Sequence, residues 1–462
     1  MLRSLFTFDE PVDRRTYAVT GFSLALVKLA LDSVGFWYAT RRLPTPFEAL
    51  SPLLSTRESA LSKGPEWLLA AMLFVTLPFL WVGVSMTVRR AFDAGRSPWL
   101  AMLFFIPLVN YVLIAVMCFL PSKPNVGWVV LSPSPGEVAA WRSALQGILF
   151  GLGLTWLMVG ASVLVLGAYG AVLFLATPFL IGAAAAYLFN RGQLRGLWPS
   201  LAVVALSVIL PAASLLLVAL EGIICIAMAL PIALVVGLLG GLMGRGIAIR
   251  DGRVGQLILI VAAFPILSGA DSITDAITDA FTDATTDATT QAHRVRSVTT
   301  AIESDAPPQR VWANVVGFAE ITDRPPFLYQ VGVAYPLRAT IEGEGVGAMR
   351  RCEFSTGAFV EPITVWDPPR HLAFSVSAQP PPMHEWSPYE HVFAPHLLTG
   401  LRSQRGEFRL TALPTGGTRL EGTTWYTLRL FPDGYWSLWS DAVIHGIHSR
   451  VLRHIRREAE RS

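Results

Sequence analysis

"GEGVGAMRRCEFSTGAFVEPITVWDPPRHLAFSV", residues 343–376, decides the fold. Apolar and polar residues alternate through Ala348–Ser355, Phe359–Trp366 and His371–Ala378, and turn-forming residues separate the three runs, as expected of consecutive antiparallel strands. Working outward, further strand candidates lie at Leu337–Ile341 upstream and at Gly406–Leu413 and Thr418–Leu430 downstream. Before them "VRSVTTAIE", 295–303, alternates and leads into a short helix. Ser304 or Asp305 can cap that helix, prolines open it, and Val311, Val315 and Phe318 share one face. The chain closes on "GYWSLWSDAVIHGIHSRVLRHIRREAER", 434–461, a helix of about seven turns. Its apolar positions Trp439, Val443, Ile447, Val451 and Ile455 recur at helical spacing. A strand, short helices, a run of antiparallel strands and a long terminal helix predict a sheet that wraps around that helix.

The phrases "APPQRVW", "GEFRL", "GGTRLEGTTWY" and "HGIHSRVLRHIRREAE", in order around the opening stretch, resemble the SRPBCC superfamily, also called START-like or polyketide cyclase/dehydrase-like, over residues 294–461. The resemblance implies an α+β helix-grip fold whose cavity, between sheet and last helix, holds lipids, polyketides or other hydrophobic molecules. It implies no particular chemistry, because catalytic residues vary among its members. Such a cavity is concave and mostly apolar, with a few polar groups to orient the ligand. The expected lining is Phe354, Phe359, Phe374, Phe408, Trp425, Val443 and Ile447, each of which serves equally well as ordinary core.

The insert "AQPPPMHEWSPYEHVFAPHLLTGLRSQ", 378–404, is long for a hairpin connection and reads as a lid or binding loop, with Trp386, Tyr389 and Phe393 placed to cover the mouth. His384, His391 and His396 in the insert, with His445 and His448 on the last helix, lack the tight spacing of metal ligands. Neither a metal nor another cofactor is expected. Glu353, Glu361, Glu421 and His445 are the available acid–base groups, but alternation without a fixed register does not say which face they occupy. No catalytic residue is assigned, and whether the chain is an enzyme stays open.

Upstream the chemistry changes. The chain is 53% hydrophobic and 15% charged, against about 25% charged in ordinary soluble domains. A helix crosses a bilayer with about 20 apolar residues. Tyr17–Ala39, Trp67–Val88 and Trp99–Leu120 qualify, and two longer runs, Leu145–Phe189 and Pro199–Gly244, read as helical hairpins turning near Gly167–Gly170 and at Glu221-Gly222. Val254–Ala270 is a marginal last span. The N-terminus is too acidic and too short of an apolar core for a signal peptide.

Placing the loops after the first, third, fifth and seventh spans in the cytoplasm gives that side eleven Lys and Arg against six. The marginal last span nevertheless favours a cytoplasmic C-terminal domain. "DSITDAITDAFTDATTDATTQA", 271–292, repeats every four residues and lacks the glycine turn of a calcium loop. It reads as a low-complexity spacer. The expected domains are thus 1–125 and 140–270 in the membrane, a linker at 271–293 and a ligand-binding domain at 294–462.

"RRAFDAGRSPWLAMLFFIPLVN", 89–110, resembles the signature of the YhaH-like group of small bacterial inner-membrane proteins of unknown function, over residues 1–125. Arg89, Arg90, Asp93, Gly95, Ser97, Trp99, Ile106 and Pro107 match, whereas Phe92 and Pro98 replace the usual His and Gly. On a helix, Asp93 can neutralise Arg89, Arg90 and Arg96. Lys28 and Asp32, at i and i+4 in the first span, read as a mutually neutralised intramembrane pair. Glu221 reads as a solvated interfacial acid.

A net charge of +3, dispersed along the chain, gives no nucleic-acid footprint. Cys118, Cys225 and Cys352 form no CxxC pair. The expected protein is a multi-pass inner-membrane protein that binds or transfers a lipid, isoprenoid or polyketide-like ligand, with membrane lipids as neighbours. The alternatives are a cyclase, dehydratase or hydrolase acting on a lipophilic substrate, and a ligand-responsive membrane sensor.

Overall fold

The computed structural model describes residues 5–8, 10–45, 48–49, 61, 66–105, 109–123, 140–165, 169–191, 193–248, 295–389, 392 and 394–461. The last apolar run, Val254–Ala270, the spacer 271–293, Ile106 and Pro107 of the membrane motif, and His391 and Phe393 of the insert lie outside them. The chain divides into two units that interleave along the sequence, residues 1–154, 177–208 and 234–264 in the first and 155–176, 209–233 and 265–462 in the second.

In the first unit, α1 (Arg14–Thr40) opens on Asp13, whose carboxylate accepts from the Thr16 amide at 2.7 Å. Lys28 and Asp32 pair one turn apart, and Asp32 is 5% exposed. α2 (Glu66–Asp93) carries the second expected span. It stops where Gly95 turns left-handed, with the Gly95 amide on the Phe92 carbonyl (2.9 Å) and the Arg96 amide on that of Ala91 (2.8 Å), a Schellman closure.

The expected third span, Trp99–Leu120, is not one helix. Pro98–Phe105 winds as a 3₁₀ segment that buries Trp99, Ala101 and Met102, and α3 (Val109–Phe119) has 11 residues. At 1.5 Å per residue α3 covers only about half of a hydrocarbon core. The Trp99 ring packs edge-on to Tyr187 at 5.4 Å.

The arginine motif staples this arrangement together. Arg90, fully buried, pairs with Asp93 at 2.5 Å, donates from Nε to the Met117 carbonyl at 2.9 Å, and donates from Nη2 to the Leu120 carbonyl. Ser122 donates to Asp93 at 2.6 Å, and Arg89 donates to the Glu10 carbonyl. One buried guanidinium thus satisfies two orphan carbonyls at the end of α3. The Arg96 backbone amide closes the end of α2.

Four helices follow: α4 (Ala140–Val159), α5 (Thr177–Asn190), α6 (Leu197–Ser214) and α7 (Ile223–Ala248). Every residue of α5 is buried. Glycines let α5 and α7 touch backbone to backbone: a Cβ on Gly240 would stand 2.0 Å from the Phe179 carbonyl oxygen, and one on Gly244 1.9 Å from that of Ala183. Small residues at such a seam are how helices associate where lipid removes the hydrophobic drive. With their flanking π and 3₁₀ turns, Ala140–Leu164, Val172–Asn190, Leu197–Val218 and Ile223–Ala248 join Arg14–Thr40 as five described helices long and apolar enough to cross a membrane.

The second unit holds a seven-stranded antiparallel sheet: β1 (Arg296–Ser304), β2 (Pro336–Glu342), β3 (Met349–Phe354), β4 (Gly357–Asp367), β5 (His371–Ser375), β6 (Leu401–Ala412) and β7 (Thr418–Leu428), ordered β1-β7-β6-β5-β4-β3-β2. The short α8 (Pro308–Val316) buries Val311 and Val315, as their spacing predicts. The sheet curls around α11 (Asp433–Arg461), whose Val451, Leu452, Ile455 and Ala459 join Phe374, Phe408, Leu410 and Leu420 in one core. Two shorter helices, α9 (Phe327–Gln330) and α10 (His396–Thr399), lie in the connections.

The same unit contains the turns at the ends of α4 and α6. The Phe431 amide donates to the Tyr169 carbonyl at 3.1 Å, the Ile223 amide to that of Trp386 at 3.0 Å, and the Tyr389 hydroxyl to that of Leu217 at 2.7 Å. Glu385 accepts from the Ile224 and Cys225 amides, each at 3.1 Å, and so caps α7 from the insert.

Candidate functional site

A cavity of about 110 Å³ lies between the sheet and α11. Its wall is built by alternation: Cys352 and Phe354 on β3, Phe359 and Glu361 on β4, Phe374 on β5, Phe408 on β6, and Gly422 and Thr424 on β7 face it, and Ile444, Ile447, His448 and Val451 close it from α11. Gly422 borders the cavity without a side chain, and a Cβ there would meet Phe408 and Leu452 at ordinary contact distances of 3.5 and 3.6 Å.

Of the expected lining residues, Phe354, Phe359, Phe374, Phe408 and Ile447 border this cavity. Trp425 does not. It follows inward-facing Thr424, so the period-two pleat turns it to the other face, where its ring lies 4.2 Å from the Arg405 guanidinium. Val443 packs with Tyr329, Val333 and Ile224 instead, and its carbonyl accepts from the Tyr329 hydroxyl at 3.0 Å. Trp386 is 61% exposed and covers nothing in this cavity.

The polar part of the wall is an ion pair inside the core. Arg350 and Glu361 are register partners on β3 and β4, their side chains are 2% and 7% exposed, and they bond directly. Arg350 also lies within 5.4–5.8 Å of the ring centres of Phe318, Phe374 and Phe408. Burial is the largest influence and works against the guanidinium charge, but Glu361 and Cys352 together hold the Arg350 pKa above its ordinary value, while burial also raises that of Glu361. From sequence Glu361 is one of four available acid–base groups, and Arg350 carries no assignment. Only the β3–β4 register brings the two face to face.

On the opposite wall His448 is held at both ring nitrogens, Nδ1 3.2 Å from the Thr300 hydroxyl and Nε2 2.8 Å from that of Thr424. Burial, aided by His445, pushes its pKa down to about 4, so the ring is neutral at pH 7. His445 reaches the same Thr300 hydroxyl at 2.9 Å. Glu353 pairs with Arg338 on the outer face, and Glu421 with Arg419. At this wall Glu361 is thus committed to Arg350 and His448 to two hydroxyls, whereas most of its area is aromatic and aliphatic carbon.

Glu221 departs from the solvated acid expected. Its side chain is 17% exposed, and burial, followed by repulsion from Glu385, pushes its carboxyl up to about 8.

Comparison with known families matches residues 5–126 to "Protein of unknown function (DUF805)". Among solved structures, the Zhui aromatase/cyclase from Streptomyces sp. R1128 is 22% identical, covering 36% of this chain and 95% of its own with a TM-score of 0.26. A putative uncharacterized protein from Bacillus thuringiensis is 17% identical, covering 36% and 100% with a TM-score of 0.25. A point mutant of norcoclaurine synthase from Thalictrum flavum is 11% identical, covering 36% and 94% with a TM-score of 0.24. Comparison with curated proteins gives no match.

Proposed function

We propose that the C-terminal domain, residues 294–462, binds a hydrophobic ligand taken from the bilayer, with an apolar chain entering between the sheet and α11. The carrying observation is space bounded mainly by Phe354, Phe359, Phe374, Phe408 and Ile447, in a chain that also has helices long and apolar enough to cross a membrane. A tether keeps such a cavity near its ligand at high effective concentration. The volume of about 110 Å³ is below the roughly 300–1,000 Å³ of clefts for drug-sized molecules, which favours a slender chain over a fused-ring substrate. Binding is favoured over catalysis because Glu361 is locked to Arg350 and His448 is held by two threonines.

Charge bears on the side of the membrane. Arg191 and Arg195 lie between α5 and α6, and Arg245 closes α7, whereas the turns at the other helix ends, 165–171 and 219–222, contain no Lys or Arg. The domain's backbone contacts are with those uncharged turns, at Tyr169 and Ile223. With positive loops retained inside, this supports an extracytoplasmic domain, in contrast to the cytoplasmic placement that the marginal last run suggests from sequence.

The ligand reading is tested by purifying the full chain in mild detergent and identifying bound small molecules by native mass spectrometry. A chain-bearing amphiphile at close to one per protein is expected, reduced at least tenfold in Gly422→Leu, which fills the hollow. Equal retention by both proteins would remove the cavity from the explanation. Recovery of a chemically altered molecule would favour the enzyme reading.

A further inference from the structure

Outside the cavity, a second cluster joins the α6–α7 turn to the end of the insert. Cys225 Sγ lies 3.0 Å from His396 Nε2, and His396 Nδ1 lies 3.6 Å from a Glu221 carboxylate oxygen. One ligand atom from each of the three residues lies within 4.8 Å of the others. The His396 and Glu221 side chains are 12% and 17% exposed.

Two polar atoms here, His396 Nδ1 and Glu221 Oε2, are buried with no hydrogen-bond partner. Leaving such atoms unmade costs about 1–3 kcal/mol each, so a cluster holding both is unusual without a further species to bind. The Tyr169 ring stands edge-on to His396 at 5.1 Å and limits its rotation. Glu385, bonded to the Ile224 and Cys225 amides, fixes the backbone that carries the thiol.

We propose that Glu221, Cys225 and His396 bind one divalent cation of zinc type, tying the α6–α7 turn to the insert of the ligand-binding domain. A thiolate, an imidazole and a carboxylate form a borderline-soft N, S, O set that suits zinc rather than calcium or magnesium. Tetrahedral bonds of 2.0–2.3 Å place ligand atoms about 3.5 Å apart. The separations of Cys225 and Glu221 from His396 involve opposite nitrogens of its ring, of which a metal takes one, and with one ligand atom from each residue the three lie within 4.8 Å of one another, so binding draws them closer together. The thiol gives up its proton as the metal–sulfur bond forms, and water completes the fourth position. From sequence, His396 could be weighed only against the other histidines of its half of the chain, His384 and His391 in the insert and His445 and His448 on the last helix. Its partners stand 171 and 175 residues upstream, in a turn that reads as membrane connection.

The site does not depend on the ligand reading, and its test uses no lipid. The full chain, freed of any affinity tag and stripped with chelator in detergent, is titrated with Co²⁺ and separately with Zn²⁺, the bound metal being counted by mass spectrometry. One metal per chain and a thiolate-to-cobalt charge-transfer band in the near ultraviolet are expected. The band should vanish in Cys225→Ser and persist in Cys118→Ser and Cys352→Ser, and His396→Gln should weaken zinc at least tenfold. Circular dichroism and gel filtration check that the variants fold. No thiolate band in the wild-type chain, or a band indifferent to Cys225→Ser in a folded variant, would overturn the proposal.

Discussion

At the residue scale the largest energetic stake is the buried pair Arg350–Glu361. A desolvated ion pair contributes little net stability, yet removing one member strands a charge in a low-dielectric core. Glu361→Gln should therefore cost about 3–5 kcal/mol, read as a large fall in melting temperature. The double change Arg350→Met with Glu361→Leu should restore most of it. If the single change were harmless, the guanidinium must already have another counter-charge.

His448 carries a pH signature. Its pKa of about 4 in the fold compares with about 6.5 in an unfolded chain. Between those values the unfolded state binds the extra proton, so stability is full above pH 6.5 and is lost as pH falls toward 4, by up to about 3 kcal/mol. Melting curves from pH 7 to 4.5 should fall less steeply for His448→Gln than for the parent chain, and parallel curves would contradict the assignment. Residue roles were the least legible part of the sequence. Phe354, Phe359, Phe374 and Phe408 are candidates for the cavity from residue type and the resemblance, but the single-residue phase that turns Trp425 outward, and the pairing of Arg350 with Glu361, exist only once the register is fixed.

At the element scale the strands, the proline-opened α8 and the terminal helix follow from periodicity, because each buries one face against a single core. The segment after α2 shows where that reasoning stops. Composition makes Trp99–Leu120 a span, yet the 3₁₀ winding of Pro98–Phe105 and the burial of Trp99 are tertiary events that hydropathy does not register. The α5–α7 seam is a second case, since its glycines read as ordinary apolar sequence and only the approach of two backbones gives them meaning. Gly244→Val should force that seam apart at a cost of about 1–3 kcal/mol or more. Gly153→Ala, with nothing within 4 Å of its new methyl, should be tolerated. Thermal unfolding of both variants in detergent decides it, and equal melting temperatures would argue against close α5–α7 packing.

At the scale of the whole molecule, the change from an apolar half to a more polar one was visible in composition, and the antiparallel sheet in the alternation that follows it. The metal-type cluster was not, because Glu221 and His396 meet only after residues far apart in the chain are folded together. The proposed orientation is open to direct measurement. A phosphatase reporter that works only outside the cytoplasm, fused after Ser462, should be active, and a fluorescent reporter that matures only inside should be dark. The opposite pattern would return the domain to the cytoplasm.

The Glu385 contacts set an order of assembly. Synthesis delivers α7 to the bilayer well before residue 385 leaves the ribosome, so the amides of Ile224 and Cys225 wait for a carboxylate that arrives 160 residues later. Insertion and completion of that helix are therefore separate events in the life of the chain, and the second happens only when the late-made domain has settled.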